Sequence, residues 1–204
     1  MGARTAVLGP LIVVSISTAI GVAVAILAAW FGGWLDITIS RTNDLLLAFP
    51  GMLLAIVAAS VFGAGLATAA IALSISYIPY IARIVRSDAL RERNLPYIEA
   101  AWLRGVPTRS IWGRYLIPAL AAMILTQVVL QFAYATIDVA AVSYLGLGVQ
   151  APTADWGTMV AEGRAGLTQG HPMEALAAGA CLVVMIVSLG VIGDYLAEKV
   201  GGHQ

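Results

Sequence analysis

The apolar residues of this 204-residue chain are gathered into long blocks rather than spread in an alternating pattern. The first block runs without a charge from Ala6 to Phe31. It is longer than the ~7–15 residue apolar core of a secretory signal, so it reads as a spanning helix. Four more blocks follow, at 45–62, 66–84, 117–137 and 175–196. Each is near the ~20 residues that carry a helix across a bilayer. The pattern predicts an all-α polytopic bundle of about five spanning helices, with residues 1–204 forming a single transmembrane domain.

Finer features modify this picture. The 45–62 block is short and carries Pro50-Gly51, which predicts a kink or local unwinding. Such breaks are tolerated where neighbouring helices re-satisfy the freed backbone groups. Ahead of it, Asp36, Ser40, Asn43 and Asp44 fall on one helical face, with Leu35, Ile39 and Leu46 on others. That is the period of an amphipathic interfacial helix leading into the next span. Ser17, Gly21 and Ala25 repeat at a four-residue spacing that lets helices approach closely, though simple apolar filler reads equally well.

Composition agrees with the blocks: 60% of residues are hydrophobic, 11% are charged and mean hydropathy is +0.91. Soluble domains carry about 25% charged residues. Net charge is zero, so only its distribution is informative. Seven of the eleven basic residues are Arg83, Arg86, Arg91, Arg93, Arg104, Arg109 and Arg114. Lys and Arg favour the cytoplasmic side, which places the 85–116 connection inside. The 138–174 connection, with Arg164 as its one basic residue, is then extracytoplasmic. Counting back puts 32–44 inside and the N-terminus outside, and counting forward puts Lys199 inside.

Catalytic and cofactor motifs are missing. No G-x-x-x-x-G-K-[ST] phosphate loop, G-x-S-x-G or H-E-x-x-H occurs, and Gly146-Leu147-Gly148 reads as a turn. His171 and His203 fall on opposite sides of the membrane, and Cys181 is a lone thiol in an apolar run. The expectation is no metal site and no catalytic pair. Arg83 and Asp138 read as boundary residues, leaving the spans without internal charge. That disfavours a proton-coupled transporter, and the energy must come from elsewhere.

The cytoplasmic segment 94–118 is the informative one. Pro96 suits the first turn of a helix and Glu99 its positive end. Gly105 is placed to cap that helix, with Pro107 preventing continuation. Thr108 is expected to N-cap a second helix ending at Pro118. Ala100 and Ala101 leave a small face for another protein, and Trp102, Leu103, Ile111 and Trp112 are apolar beyond the needs of a solvated loop. A basic juxtamembrane loop attracted to anionic lipid is the plainer reading, but it leaves the residue spacing unexplained.

Glu99-Ala100-Ala101, three residues, Gly105, nine residues and then Tyr115-Leu116-Ile117-Pro118 resemble the EAA loop of binding-protein-dependent ABC permeases. Tyr115 and Ile117 depart mildly from the expected isoleucine and leucine. Further elements are similar to the peptide and nickel branch: Gly2-Ala-Arg-Thr5, Phe31-Gly-Gly-Trp-Leu-Asp36, Asp44 to Pro50, Ser143 to Gln150, Pro152, Trp156-Gly157 and Glu162-Gly163-Arg164. Within it the chain looks like the second of two permease types.

The resemblance implies a type I ABC importer permease fold with cytoplasmic coupling helices, in a bacterial cytoplasmic membrane. Glu99, Ala100, Ala101, Trp102, Leu103, Gly105 and Pro118 would couple to the ATPase. Leu145, Gly146, Gly148, Trp156 and Gly157 would meet the binding protein or substrate, although Trp156 reads equally well as an interfacial anchor. Implied partners are a homologous sister permease, two cytoplasmic ATPase subunits, an extracytoplasmic substrate-binding protein and the lipid bilayer, with no nucleic acid. No cofactor is expected in this chain, ATP and Mg being bound by the ATPases. The expected substrate is a di- or oligopeptide, with nickel as the alternative. A secondary transporter or channel is the reading from another class, and a membrane enzyme is disfavoured by the missing catalytic pairs. Family members generally open with one more spanning helix before the Gly-Ala-Arg-Thr element, so the sequence is expected to be N-terminally short.

Overall fold

The computed structural model describes residues 2–150 and 152–201. Its helices are α1 (Ala3–Phe31), α2 (Gly33–Leu47), α3 (Gly51–Phe62), α4 (Leu66–Arg93), α5 (Pro96–Leu103), α6 (Thr108–Ile111), α7 (Ile117–Tyr144), α8 (Trp156–Glu162), α9 (Arg164–Thr168) and α10 (Met173–Gly201). A π-helical turn over Trp112–Leu116 joins α6 to α7. Among the described residues, four stretches are long and apolar enough to cross a membrane, and α2 with α3, bent by 80°, makes a fifth if the pair is one broken span.

α1 and α4 form the central pair. A Cβ on Gly21 would lie 3.0 Å from Ile81 Cβ and 3.1 Å from Ile78 O. Ser17 and Ala25 are fully buried, so the small-residue stripe is a packing surface rather than filler. α7 closes on this pair through Val139 and Val142, which join Val13, Val14 and Leu73 in one buried cluster. A second cluster, with Ile26, Ile81, Val85, Leu116 and Leu120, fills the other end. α10 packs at the edge, its Gly193 close against Leu130. Its Val183, Val184, Val187 and Val191 face outward, as lipid tails allow.

Three boundaries differ from the expected ones. α4 continues past residue 84 to Arg93, shortening the 85–116 connection. Arg91 and Arg93 in its last turn suit the negative end of the helix dipole. Arg93 Nη1 also donates to Ala29 O at 2.7 Å, and its guanidinium lies 5.6 Å from the centroid of Trp30. α7 runs past 137 to Tyr144, so the outer connection starts at Leu145 and not at 138. Gly146, at φ +76°, ends it, with Gly146 N–H donating to Ser143 O and Leu147 N–H to Val142 O. Third, the 45–62 block is divided between the end of α2 and α3, at the Pro50-Gly51 break predicted for it. Pro50 cannot continue α2, and the 12 residues of α3 reach roughly 18 Å.

α2 is amphipathic, and its two acidic residues pair with arginines of α4. Asp36 accepts from Arg86 Nε at 2.5 Å and Nη2 at 2.6 Å, and Asp44 from Arg83 Nη2 at 2.6 Å. Asn43 is buried, while Trp34, Ile37 and Leu45 are exposed. The arginines of α4 neutralise the acidic face, part-buried at Asp36 and open at Asp44, a pairing that helical periodicity alone does not reveal.

The two ends of the bundle are distinct. Thr5 Oγ1 donates to Ala154 O at 2.9 Å and Gly65 N–H to Leu147 O at 3.1 Å. The start of α1, the α3–α4 turn and the connection after α7 therefore share one end. Arg93, α5 and Trp112 gather at the other, as the charge distribution predicts.

Candidate functional site

The candidate coupling site is built on α5. Pro96 forces an extended backbone on the residue before it, and Leu95 has φ −78° and ψ 145°. Pro96 then opens the helix at a position where no N–H is missed. Gly105, at φ +74°, closes it. Its N–H donates to Trp102 O at 2.9 Å and that of Val106 to Ala101 O at 3.2 Å, the paired bonds of a Schellman cap. Ile98 and Ala101 turn inward onto Ile111, with Trp30 and Val106 beside them. Outward stand Glu99 and Ala100, together with Trp102 (66% exposed) and Leu103 (80%). Ala100 and Ala101 thus do not share an open face. Consecutive helical residues point ~100° apart, and Ala101 belongs to the internal packing.

The second coupling helix is not a separate element. Pro107, and not Thr108, holds the cap position, without a side-chain cap bond, and Thr108 is the first helical residue. From there α6, the π turn and α7 run on without a break. Ile117 N–H donates to Trp112 O, five residues back. Pro118 has no N–H to donate to the turn before it, and the chain widens to π geometry at that place. Trp112 packs edge-on against Trp30 and Phe31, with centroids 5.9 and 6.1 Å away. Tyr97 donates to the Glu92 carboxylate, and its ring lies 6.1 Å from that of Tyr115. Burial first, then the Glu92 bond and charge, push the Tyr97 hydroxyl up to about 12, so it remains a donor near neutral pH. A force on α5 therefore meets α1 through Trp30 and α7 through the π turn.

At the opposite end, Leu145 and Gly146 are exposed. Gly148 and Gly157 are buried packing positions. A Cβ on Gly148 would lie 2.3 Å from Ser143 Oγ, and one on Gly157 only 2.4 Å from Ala140 O. Trp156 is half-buried and sits over Gly2, where an added Cβ would come within 2.9 Å of its Cδ1. Sequence reasoning missed Asp155. This buried residue caps α8, accepting from Gly157 N–H at 2.9 Å and Thr158 N–H at 3.4 Å. An Asp immediately before a helical run was the available signal.

Asp138 also lies elsewhere than expected. It is inside α7 and not at a boundary, and its Oδ2 accepts from Tyr77 Oη at 2.8 Å. The pair borders a cavity of about 620 Å³ between the α2–α3 break, α4 and α7. The spans therefore do hold an internal carboxylate, and its supposed absence is no argument against a charge-coupled transporter. One Asp among apolar neighbours hardly alters an averaged hydropathy, which is why the blocks hid it.

Membrane-crossing helices with a short exposed helix braced beyond their basic end define a multi-pass membrane protein. Residues 21–201 match the family described as binding-protein-dependent transport system inner membrane component, and the chain belongs to that family. It is a multi-pass protein of the cytoplasmic membrane. Over 178 residues it is 35% identical to the dipeptide transport system permease protein DppC of Alkalihalophilus pseudofirmus, covering 87% of this chain and 58% of that one. Over 198 residues it is 32% identical to the glutathione transport system permease protein GsiD of Pectobacterium atrosepticum, covering 97% and 65%. A putative peptide transport system permease protein of Brucella suis is 35% identical over 201 residues, covering 97% and 66%. The chain thus spans 58% to 66% of the length of these relatives.

Among solved structures, an inward-facing MetNI methionine ABC transporter superposes with a TM-score of 0.76 at 19% identity, covering 98% of this chain and 94% of that one. An amino acid ABC transporter crystallised with histidines gives 0.72 at 17%, covering 97% and 92%. At such identities the likeness is one of fold, and that fold is the ABC importer permease fold.

Proposed function

We propose that this chain is the transmembrane permease subunit of an ATP-driven peptide importer, forming half of its translocation pathway. The observation that carries the reading is α5: Trp102 and Leu103 stand in the open on a helix fixed at both ends. Large apolar side chains held that way mark a docking surface. Glu99, Ala100, Trp102 and Leu103 meet a groove of a cytoplasmic ATPase, while Gly105 and Ala101 hold the helix in shape. ATP-driven closure of two such ATPases moves α5, and the π turn and Pro118 pass the motion to α7. The pathway then alternates by rigid-body rearrangement.

The subunit itself is non-catalytic, and ATP and Mg belong to the ATPases. A sister permease supplies the other half, and a binding protein delivers substrate to the outer end, where Leu145, Gly146 and Trp156 lie. The dipeptide, glutathione and peptide permeases named above favour a peptide over nickel. The test combines Glu99→Arg with Gly105→Trp in the natively expressed complex. Loss of ATPase co-purification and of ATP-dependent uptake is expected. Unchanged association and uptake would sink the reading.

A further inference from the structure

The cavity at the α2–α3 break has a lining that packing does not explain. Asp138 and Tyr77 are hydrogen-bonded on its wall. Gln131, also on that wall, is only 6% exposed, yet its Oε1 accepts no hydrogen bond among the described residues. An unsatisfied buried amide oxygen is costly, and an ionisable group within a span is by default functional. Tyr77 lies roughly 16 Å along α4 from its outer end, which places this group well inside the membrane.

The chemistry of the lining selects the ligand. Asp138 and Gln131 Oε1 are acceptors without matching donors from basic residues, and Tyr80 and Tyr134 add ring faces to the same wall. One carboxylate, one amide oxygen and aromatic faces suit an N–H-rich monocation. No group of three or more His, Cys, Asp or Glu able to hold a metal ion occurs among the described residues. A volume near 620 Å³ falls within the ~300–1,000 Å³ of small-molecule sites.

We propose that Asp138 and Gln131 form a site within the membrane that takes the N-terminal ammonium group of a peptide on its way through. Asp138 accepts from the ammonium, Gln131 turns its buried Oε1 into the cavity to accept from the ammonium or the first peptide N–H, and Tyr77 holds the carboxylate in place. This assignment rests on the peptide-import reading and adds to it a residue-level specificity.

The test uses the complete importer with its partner subunits and binding protein in proteoliposomes. It is offered a mixture of alanine- and leucine-containing di- to tetrapeptides, with uptake read by mass spectrometry. Asp138→Asn is expected to lower initial uptake about tenfold, the scale of losing one charge-assisted hydrogen bond. Binding-protein-stimulated ATP hydrolysis should persist, and Asp138→Glu should restore part of the transport. Gln131→Leu serves if the Asp138 variants fail to assemble. Removing an unpartnered acceptor should leave thermal stability equal or higher, while uptake falls about threefold or more.

Wild-type uptake by both Asp138→Asn and Gln131→Leu would overturn the inference and leave the transport reading standing. Equal losses for free-amine and N-acetylated peptides would overturn the ammonium assignment. No ATP-dependent uptake of any peptide by the unmodified importer would instead overturn the peptide reading itself.

Discussion

The elbow at 94–116 and the outer connection at 145–172 are both short helices and glycine turns attached to spans, yet only the second also uses glycine for close approach. An added Cβ would meet nothing within 4 Å at Gly105 or Gly113. At Gly148, Gly157 and Gly163 it would strike Ser143, Ala140 O and Ala175, all closer than 3 Å. Glycine in the elbow supplies a backbone conformation and leaves the surface free. In the outer connection Gly146 and Gly170 also supply a backbone conformation, at φ +76° and +81°, but Gly148, Gly157 and Gly163 supply close approach and fasten that segment to α7 and α10. The apolar side chains follow the same division: Trp102 and Leu103 stand clear, while Trp156 lies over the start of α1. One end leaves large apolar side chains in the open, and the other packs its aromatic and its glycines against the bundle.

This contrast can be broken by substitution. The largest effect is expected at Gly157→Ala, where the methyl meets a backbone oxygen and overpacking costs about 3 kcal/mol. A clear fall in the thermal unfolding midpoint of the detergent-solubilised subunit is expected, and an unchanged midpoint would contradict the packing role. Asp155→Ala removes the buried cap of α8 and should cost roughly 1–2 kcal/mol in the same measurement. Gly105→Ala has no steric obstacle and should cost only about 1 kcal/mol, the strain of a left-handed backbone. If it proves worse than Gly157→Ala, the assignment of the two ends is reversed. Trp102→Ala with Leu103→Ala should change stability by no more than about 0.5 kcal/mol. The same pair should abolish ATPase co-purification. Binding lost without stability lost is the signature of a docking helix.

Local chemistry wrote much of the elbow into the sequence. Pro96, Gly105 and Pro107 act through their own backbone constraints, so their effects do not depend on distant neighbours. Thr108 was misjudged because Pro107 is competent to occupy the cap position itself. The continuous run from Thr108 to Tyr144 was hidden by Pro118, which ordinarily ends a helix. A π turn absorbed it instead. The outer connection was far less legible. Gly148 read as a turn residue and Gly157 as an outer-face contact, and only the path of α7 shows what they pack against.

The sequence by itself determined the membrane class, the approximate spans, the clustering of basic residues at one end and the position of α5. Each of these follows from bulk hydropathy, from charge placement or from residues that constrain their own φ and ψ. Tertiary structure decided which way faces turn: Ala101 inward, the acidic face of α2 onto Arg83 and Arg86, and Asp138 onto Tyr77. Facing is a relation between segments far apart in the chain, and a single carboxylate in an apolar run does not disclose its partner until helices meet.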